Sequence, residues 1–182
     1  MNRIVFITLL LMVFAVASQA QNGEEIKWYS FEEAVQKNKE NPKMIFVDLY
    51  TNWCGWCKVM DNKTFSDPVI AKYMNENFYP VKFNAEGSDT VEFAGRTYVN
   101  PRPGVTKSTH QLAIAMLQGK LSYPSYALMN KNNQMVQVLN GYIKKEQFEP
   151  IIHFFGSGAY KNMKWPEFQQ GFEGKLSGTS GD

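Results

Sequence analysis

Cysteine and histidine are scarce in this chain: two of each among 182 residues. Exported scaffolds held together by disulfides carry several, joining distant segments, so a stapled mini-fold is excluded. Four-coordinate zinc needs four ligands within reach. His110 and His153 follow Cys57 by 53 and 96 residues, at no finger-like spacing. They read as surface or helix-face histidines, and no metal is expected. Charge of one sign is also lacking, with 19 Lys and Arg against 17 Asp and Glu. Nothing in that balance calls for nucleic acid or a membrane surface as partner. There is no internal repeat and no apolar run of spanning length.

One apolar run does stand at the start. Asn2 and Arg3 precede Ile4 to Ala17, which Thr8 alone interrupts, and Ser18-Gln19-Ala20 follows. This pattern predicts a cleaved secretory signal over 1–20, the bland alternative being an uncleaved anchor. No cysteine follows the cleavage point, so a lipid anchor is not expected there. A single domain is expected over 21–176, with a loose tail over 177–182, and no membrane insertion after cleavage. Export places the protein in the periplasm or another extracytoplasmic space.

Along the chain, Ser30 and Glu33 have capping-box spacing for a helix bearing Phe31, Ala34 and Val35, which Asn41-Pro42 stops. Lys43 to Tyr50 reads as a strand covered on both faces, with one acid, Asp48, inside it. A helix begins within the cysteine motif. Asp67-Pro68 opens another, and Phe78 to Asn84 is a second buried strand carrying Lys82. Val91 to Val99 reads as a hairpin turning near Gly95, and Pro101 to Gly104 as a loop. Ser108 to Gln118 reads as a helix with Ser108 and Gln111 as its capping box and Gly119 at its end. Tyr126–Met129 and Met135–Leu139 are strands. A helix then runs to about Phe155, with Pro150 near its start or at a kink. Strands and helices alternate first and two adjacent strands come late, which predicts a mixed sheet with helices on both faces. Trp165, Phe168 and Phe172 predict a short amphipathic helix packed on the domain, a partner-binding face being the sharper alternative.

The two cysteines lie in Trp53-Cys54-Gly55-Trp56-Cys57-Lys58. As a staple, so short a loop contributes only about 2 kcal/mol in the chain-entropy model before strain is subtracted. Lys58 in place of a histidine gives no haem-attachment signature. Thiol–disulfide exchange suits the spacing best. One thiolate attacks a partner's disulfide, and a second thiol one helical turn on resolves the mixed disulfide. A helix amino end favours the thiolate at Cys54, which makes Cys54 the outer, attacking thiol and Cys57 the resolving one. No cofactor beyond the Cys54–Cys57 dithiol/disulfide is expected. Asp48, six residues before Cys54 and buried, is a candidate acceptor for the proton of Cys57, with Lys82 as its neighbour. A structural buried ion pair is the alternative. Tyr123-Pro124 is a candidate cis bond that would present backbone to a peptide.

The string V-D-L-Y-T-N-W-C-G-W-C-K resembles the active-site strand and helix start of the thioredoxin-like superfamily, and V-K-F-N-A resembles its strand with the buried lysine. Tyr123-Pro124 and Gly141 fall where thioredoxins carry their cis proline and the glycine after the last strand. M-D-N-K-T-F-S-D-P-V-I is similar to exported relatives of the C-terminal domain of the disulfide reductase DsbD. The resemblance spans about Ser30 to Phe155. It implies an α/β, thioredoxin-like fold: a central mixed sheet flanked by helices, an inserted hairpin and helix over about 85–121, and a C-terminal helical extension over about 157–176. It implies catalytic roles for Cys54, Cys57, Asp48 and Lys82, and substrate contacts at Trp53, Gly55, Trp56, Tyr123 and Pro124. The expected partners are disulfide-containing proteins and an upstream thiol electron donor, and the expected direction is reduction. Oxidation or isomerisation, a non-catalytic binding module and thiol delivery in cytochrome maturation are the alternatives. Trp56 stands where thioredoxins have proline, so no redox potential transfers.

Overall fold

The computed structural model describes residues 23–176; the expected signal over 1–20 and the tail over 177–182 lie outside them. The first helix, α1 (Phe31–Glu40), begins as its capping residues dictate. Ser30 Oγ accepts from the Glu33 amide at 3.2 Å, and Glu33 Oε2 accepts from the Ser30 amide at 2.9 Å. Phe31 and Ala34 are buried beneath it.

The strand β1 (Met44–Tyr50) is buried along nearly its whole length. It pairs in parallel with β2 (Phe78–Asn84), placing Asp48 opposite Lys82. On its other side it pairs antiparallel with β5 (Ser125–Met129), placing Asp48 opposite Tyr126. The edge strand β6 (Met135–Asn140) completes a mixed sheet of order β2-β1-β5-β6. Side chains alternate across a strand, so β1 feeds two cores. Met44 and Phe46 join Met60, Ile70, Tyr126 and Phe148 on one face. Ile45, Val47 and Leu49 join Phe31, Leu112 and Met116 on the other.

Between β1 and β2 run α2 (Gly55–Met60), a π-helical turn (Asp61–Phe65) and α3 (Pro68–Asn77). Asp67 caps α3 by accepting from the Val69 amide at 2.9 Å, with Pro68 in the first turn. The hairpin forms as expected, from β3 (Val91–Phe93) and β4 (Arg96–Tyr98), with Ala94 and Gly95 both at positive φ in its two-residue turn.

The following helix corrects two expectations. α4 (Gln111–Met116) is capped by His110, not by Ser108. His110 is 1% exposed rather than on the surface. Its Nδ1 accepts from the Leu112 amide at 3.1 Å, and its Nε2 donates to the Asp89 carbonyl at 2.8 Å. Both ring nitrogens are satisfied, which is what lets an imidazole be buried here. Ser108 instead donates to Asn100 Oδ1 at 2.6 Å, and Gln111 Oε1 accepts from the Val99 amide at 3.2 Å.

The helix α5 (Lys145–Gly156) holds Pro150 at its sixth residue and continues past it, so the proline neither starts nor ends it. His153 lies on α5 half-buried, its ring stacked on Tyr73 with centroids 3.6 Å apart. α6 (Trp165–Gly171) packs on α5, with Trp165 and Phe168 at 5.4 and 5.1 Å from the Phe154 ring. Buried Glu149 ties down the chain beyond α6: its carboxylate accepts from the Lys175 and Leu176 amides at 2.8 and 2.9 Å. No helix among the described residues is long and apolar enough to cross a membrane.

Candidate active site

β1 delivers the chain directly to the cysteines. The Cys54 amide donates to the Thr51 carbonyl at 3.1 Å, and Cys54 is the N-cap of α2. Cys54 and Cys57 form a disulfide with Cα atoms 5.3 Å apart. The Cys57 amide points at Cys54 Sγ, 3.1 Å away. An amide aimed at this sulfur in the first turn of a helix stabilises a thiolate there once the bond is reduced. In the oxidised state both residues are buried, Cys54 at 4% and Cys57 at 3% exposure. Position in the helix, rather than exposure, distinguishes the two.

The strand that leads into the motif carries an acid–base pair with its neighbour. Asp48 is 1% exposed, and Lys82 Nζ reaches its Oδ2 at 2.6 Å, as the strand register predicts. Asp48 Oδ1 has no hydrogen-bond partner among the described residues. Burial pushes the Asp48 carboxyl up to about 6, against the pull of Lys82. The same Lys82 ammonium contacts Asp61 Oδ1 in the π-helical turn. Burial pulls Lys82 down, but the two carboxylates outweigh it and hold the ammonium above its ordinary value. Three rings surround its charge, with Trp28, Tyr50 and Phe65 centroids at 5.0, 5.2 and 5.4 Å. Tyr126, opposite Asp48 in the sheet, has a buried hydroxyl whose ionisation burial and the two carboxylates push up, so it stays neutral. Among the described residues no cluster of three or more His, Cys, Asp or Glu side chains is placed to hold a metal ion.

Two tryptophans form the rim, Trp53 at 55% and Trp56 at 61% exposure. Trp53 meets Tyr123 edge to face at 6.0 Å, and Trp56 stacks on Tyr142 at 5.7 Å. A Cβ at Gly55 would meet nothing within 4 Å, so the surface between the tryptophans is open. The Tyr123–Pro124 bond is cis, and the Pro124 carbonyl accepts from the Gly141 amide at 2.8 Å.

The structure therefore joins Asp48 to Lys82 and Trp53 to Tyr123. Sequence reasoning missed Asp61 and Tyr142. Asp61 stands four residues after Cys57, an i, i+4 spacing that shares a helix face and was its available signal. Tyr142 follows the glycine after β6 and carries no comparable signal.

Comparison with known proteins bears on this arrangement. The sequence model of Thioredox_DsbH, described as a protein of unknown function, DUF255, matches residues 16–156. An uncharacterized protein of Caenorhabditis elegans is 38% identical over 68 residues, 37% of this chain and 9% of that protein. Spermatogenesis-associated protein 20 of Mus musculus is 32% identical over 75 residues, 41% of this chain and 10% of that protein. The thiol:disulfide interchange protein DsbD of Campylobacter jejuni is 31% identical over 64 residues, 35% of this chain and 11% of that protein. The chain thus spans about a tenth of the length of these curated relatives. Among solved structures, a thioredoxin from Thermus thermophilus superposes with a TM-score of 0.54 at 15% identity, over 82% of this chain and 99% of that one. A putative disulphide-isomerase from Bacteroides thetaiotaomicron gives 0.51 at 24% identity, over 74% and 97%. At these identities the likeness establishes the fold alone, a mixed sheet flanked by helices. The chain therefore belongs to the Thioredox_DsbH family of thioredoxin-fold proteins, related to DsbD, and carries a disulfide-linked cysteine pair in a C-x-x-C motif.

Proposed function

We propose that this protein is an exported thiol–disulfide oxidoreductase that reduces disulfides in extracytoplasmic proteins. The observation that carries the reading is a cysteine disulfide at the N-cap of α2, reached by a strand that holds a buried, lysine-linked carboxyl, Asp48. The leader-like pattern over 1–20 supports export.

The cycle starts from the dithiol, generated by an upstream thiol donor. The Cys54 thiolate attacks one sulfur of the partner's disulfide. A Cys54–partner bond forms, and the partner's other sulfur leaves as a thiolate. Cys57 then gives its proton to Asp48 and attacks the Cys54 sulfur. The Cys54–Cys57 bond forms, and the partner's second sulfur leaves as a thiolate. Two electrons pass to the partner, and the two protons its thiolates require come from Asp48 and solvent. A base ionising near 6 is suited to this task, because it is largely deprotonated at neutral pH yet basic enough to accept a thiol's proton. Lys82 steadies the charged form of Asp48 and Asp61 shares the lysine. Trp53, Trp56, Tyr123 and the backbone at Pro124 would receive the partner polypeptide.

The test is twofold. Cys57→Ser exposed to oxidised extracytoplasmic proteins is expected to accumulate mixed disulfides on Cys54, and Cys54→Ser to accumulate none. Equilibration with glutathione is expected to give a potential below about −200 mV, on the reducing side of protein disulfide isomerase. A value near about −120 mV, that of a strong oxidant, would reverse the direction. No trapped species would remove the exchange reaction itself.

A further inference from the structure

The inserted segment is fastened to the cysteine site through one carboxylate. Glu86, just beyond β2, accepts at Oε1 from the Trp53 indole Nε1–H at 3.0 Å. The same oxygen accepts from the Lys107 backbone amide at 2.7 Å. Trp53 adjoins Cys54 in the chain and is more than half exposed, so packing alone does not fix its indole. Lys107 sits at φ 65, a region a non-glycine residue occupies only when neighbouring bonds hold it there.

The base of the inserted loop is independently rigid. Buried Asn100 donates to the Glu86 carbonyl at 3.1 Å and the Ser108 carbonyl at 2.8 Å. Its Oδ1 accepts from the Arg102 amide at 3.1 Å. The loop is thus a preformed wall. It faces Trp53 across a cleft lined by Asn52, Trp53, Glu86, Gly104, Val105 and Thr106. Val105 is an exposed aliphatic side chain on the insertion side, and Trp53 supplies the aromatic surface opposite.

We propose that Glu86 is a positioning residue: it clasps the inserted loop to the tryptophan beside Cys54 and makes the insertion one wall of the groove that receives a partner's polypeptide around its disulfide. The inference rests on the thiol–disulfide reading above. Trp53 directly precedes Cys54 in the chain, and its exposed indole is therefore surface that residues flanking a partner's cysteine would meet. The cleft offers them Trp53 and Val105 for an apolar side chain and the Asn52 amide for backbone.

The test compares Glu86→Ala and Glu86→Gln in the full chain, with insulin as the disulfide substrate. Glutamine keeps an accepting oxygen at the same reach, whereas alanine removes it. In Glu86→Ala, the Trp53 indole N–H and the Lys107 amide should both exchange with water about tenfold faster or more, the scale set by losing a hydrogen bond to a charged group. Because the clasp positions the wall rather than the reacting atoms, KM for insulin should rise about tenfold with kcat unchanged. Glu86→Gln should restore the exchange rates and KM together. An unmoved KM in an active Glu86→Ala, or faster exchange at only one of the two N–H groups, overturns the clasp. A wild-type chain inert towards insulin overturns the thiol–disulfide reading, and the clasp with it.

Discussion

Asp48→Asn should make the protein more stable and less active, and the size of the first effect follows from the site. The Asp48 carboxyl ionises at about 6 in the fold against an ordinary value of 3.8. At about 1.4 kcal/mol per unit of pKa, carrying that charge in the folded protein costs about 3 kcal/mol. The cost exists although Lys82 sits 2.6 Å away, because burial outweighs the attraction. A raised folded-state pKa means the native protein holds its proton more tightly than the unfolded chain. The associated stability is therefore present in full below pH 3.8 and lost as the pH rises through about 6. Asparagine mimics the neutral acid at every pH, and Lys82 keeps Asp61 as a partner. Urea unfolding of the oxidised proteins should thus show the two close in stability near pH 4. At pH 7.5 the variant should lead by up to about 3 kcal/mol, or about 6–12 °C in Tm for a domain of this size. Carboxylates that do not interact with Asp48 cancel in the comparison, and Asp61 is the neighbour that remains coupled to it. Resolution of the mixed disulfide should meanwhile slow about 100-fold at pH 7.5, and the acid limb near pH 6 should vanish. A stability difference that is flat with pH, or a variant less stable at pH 7.5, would refute the reasoning, because the lysine would then outweigh burial.

Two further outcomes test neighbouring parts of the structure. Asp61→Asn removes a nearby negative charge and leaves Lys82 to Asp48 alone, so the acid limb of the resolution rate should move to lower pH; a pH–rate profile reads the direction. Glu149→Ala removes the acceptor of two backbone amides, each such bond being worth about 1.5–3 kcal/mol, so the Lys175 and Leu176 amides should exchange at least about tenfold faster while the Asp48 limb stays in place.

What could be read in advance was whatever short-range rules control. The Ser30–Glu33 box and the Asp67–Pro68 start depend on residues within one turn, and both form as their spacing dictates. Asp48 and Lys82 were legible as a pair because two buried strands leave each charge few places to go. The His110 cap was not legible, because its second partner, the Asp89 carbonyl, lies 21 residues away, and Ser108–Gln111 offered a more familiar spacing. Asp61 had its spacing from Cys57 as a signal, but its reach to Lys82 follows a switch from α- to π-helical winding after Met60 that no local propensity announces. Glu86 was hidden because a lone acid after a strand gains meaning only when a distant loop returns to it.

The alternation along β1 has a last consequence. Phe46 and Phe65, with Lys82's ammonium over the Phe65 ring, belong to one side of the sheet, whereas the hairpin residue Val91 and the α4 residues Leu112, Ala113 and Met116 belong to the other. Proton handling and the inserted segment are insulated from each other by a layer of backbone. Mutational drift in the insertion can remodel what the protein grips without disturbing how it ionises, which makes that segment the natural place for relatives to diverge and for an engineer to cut and graft.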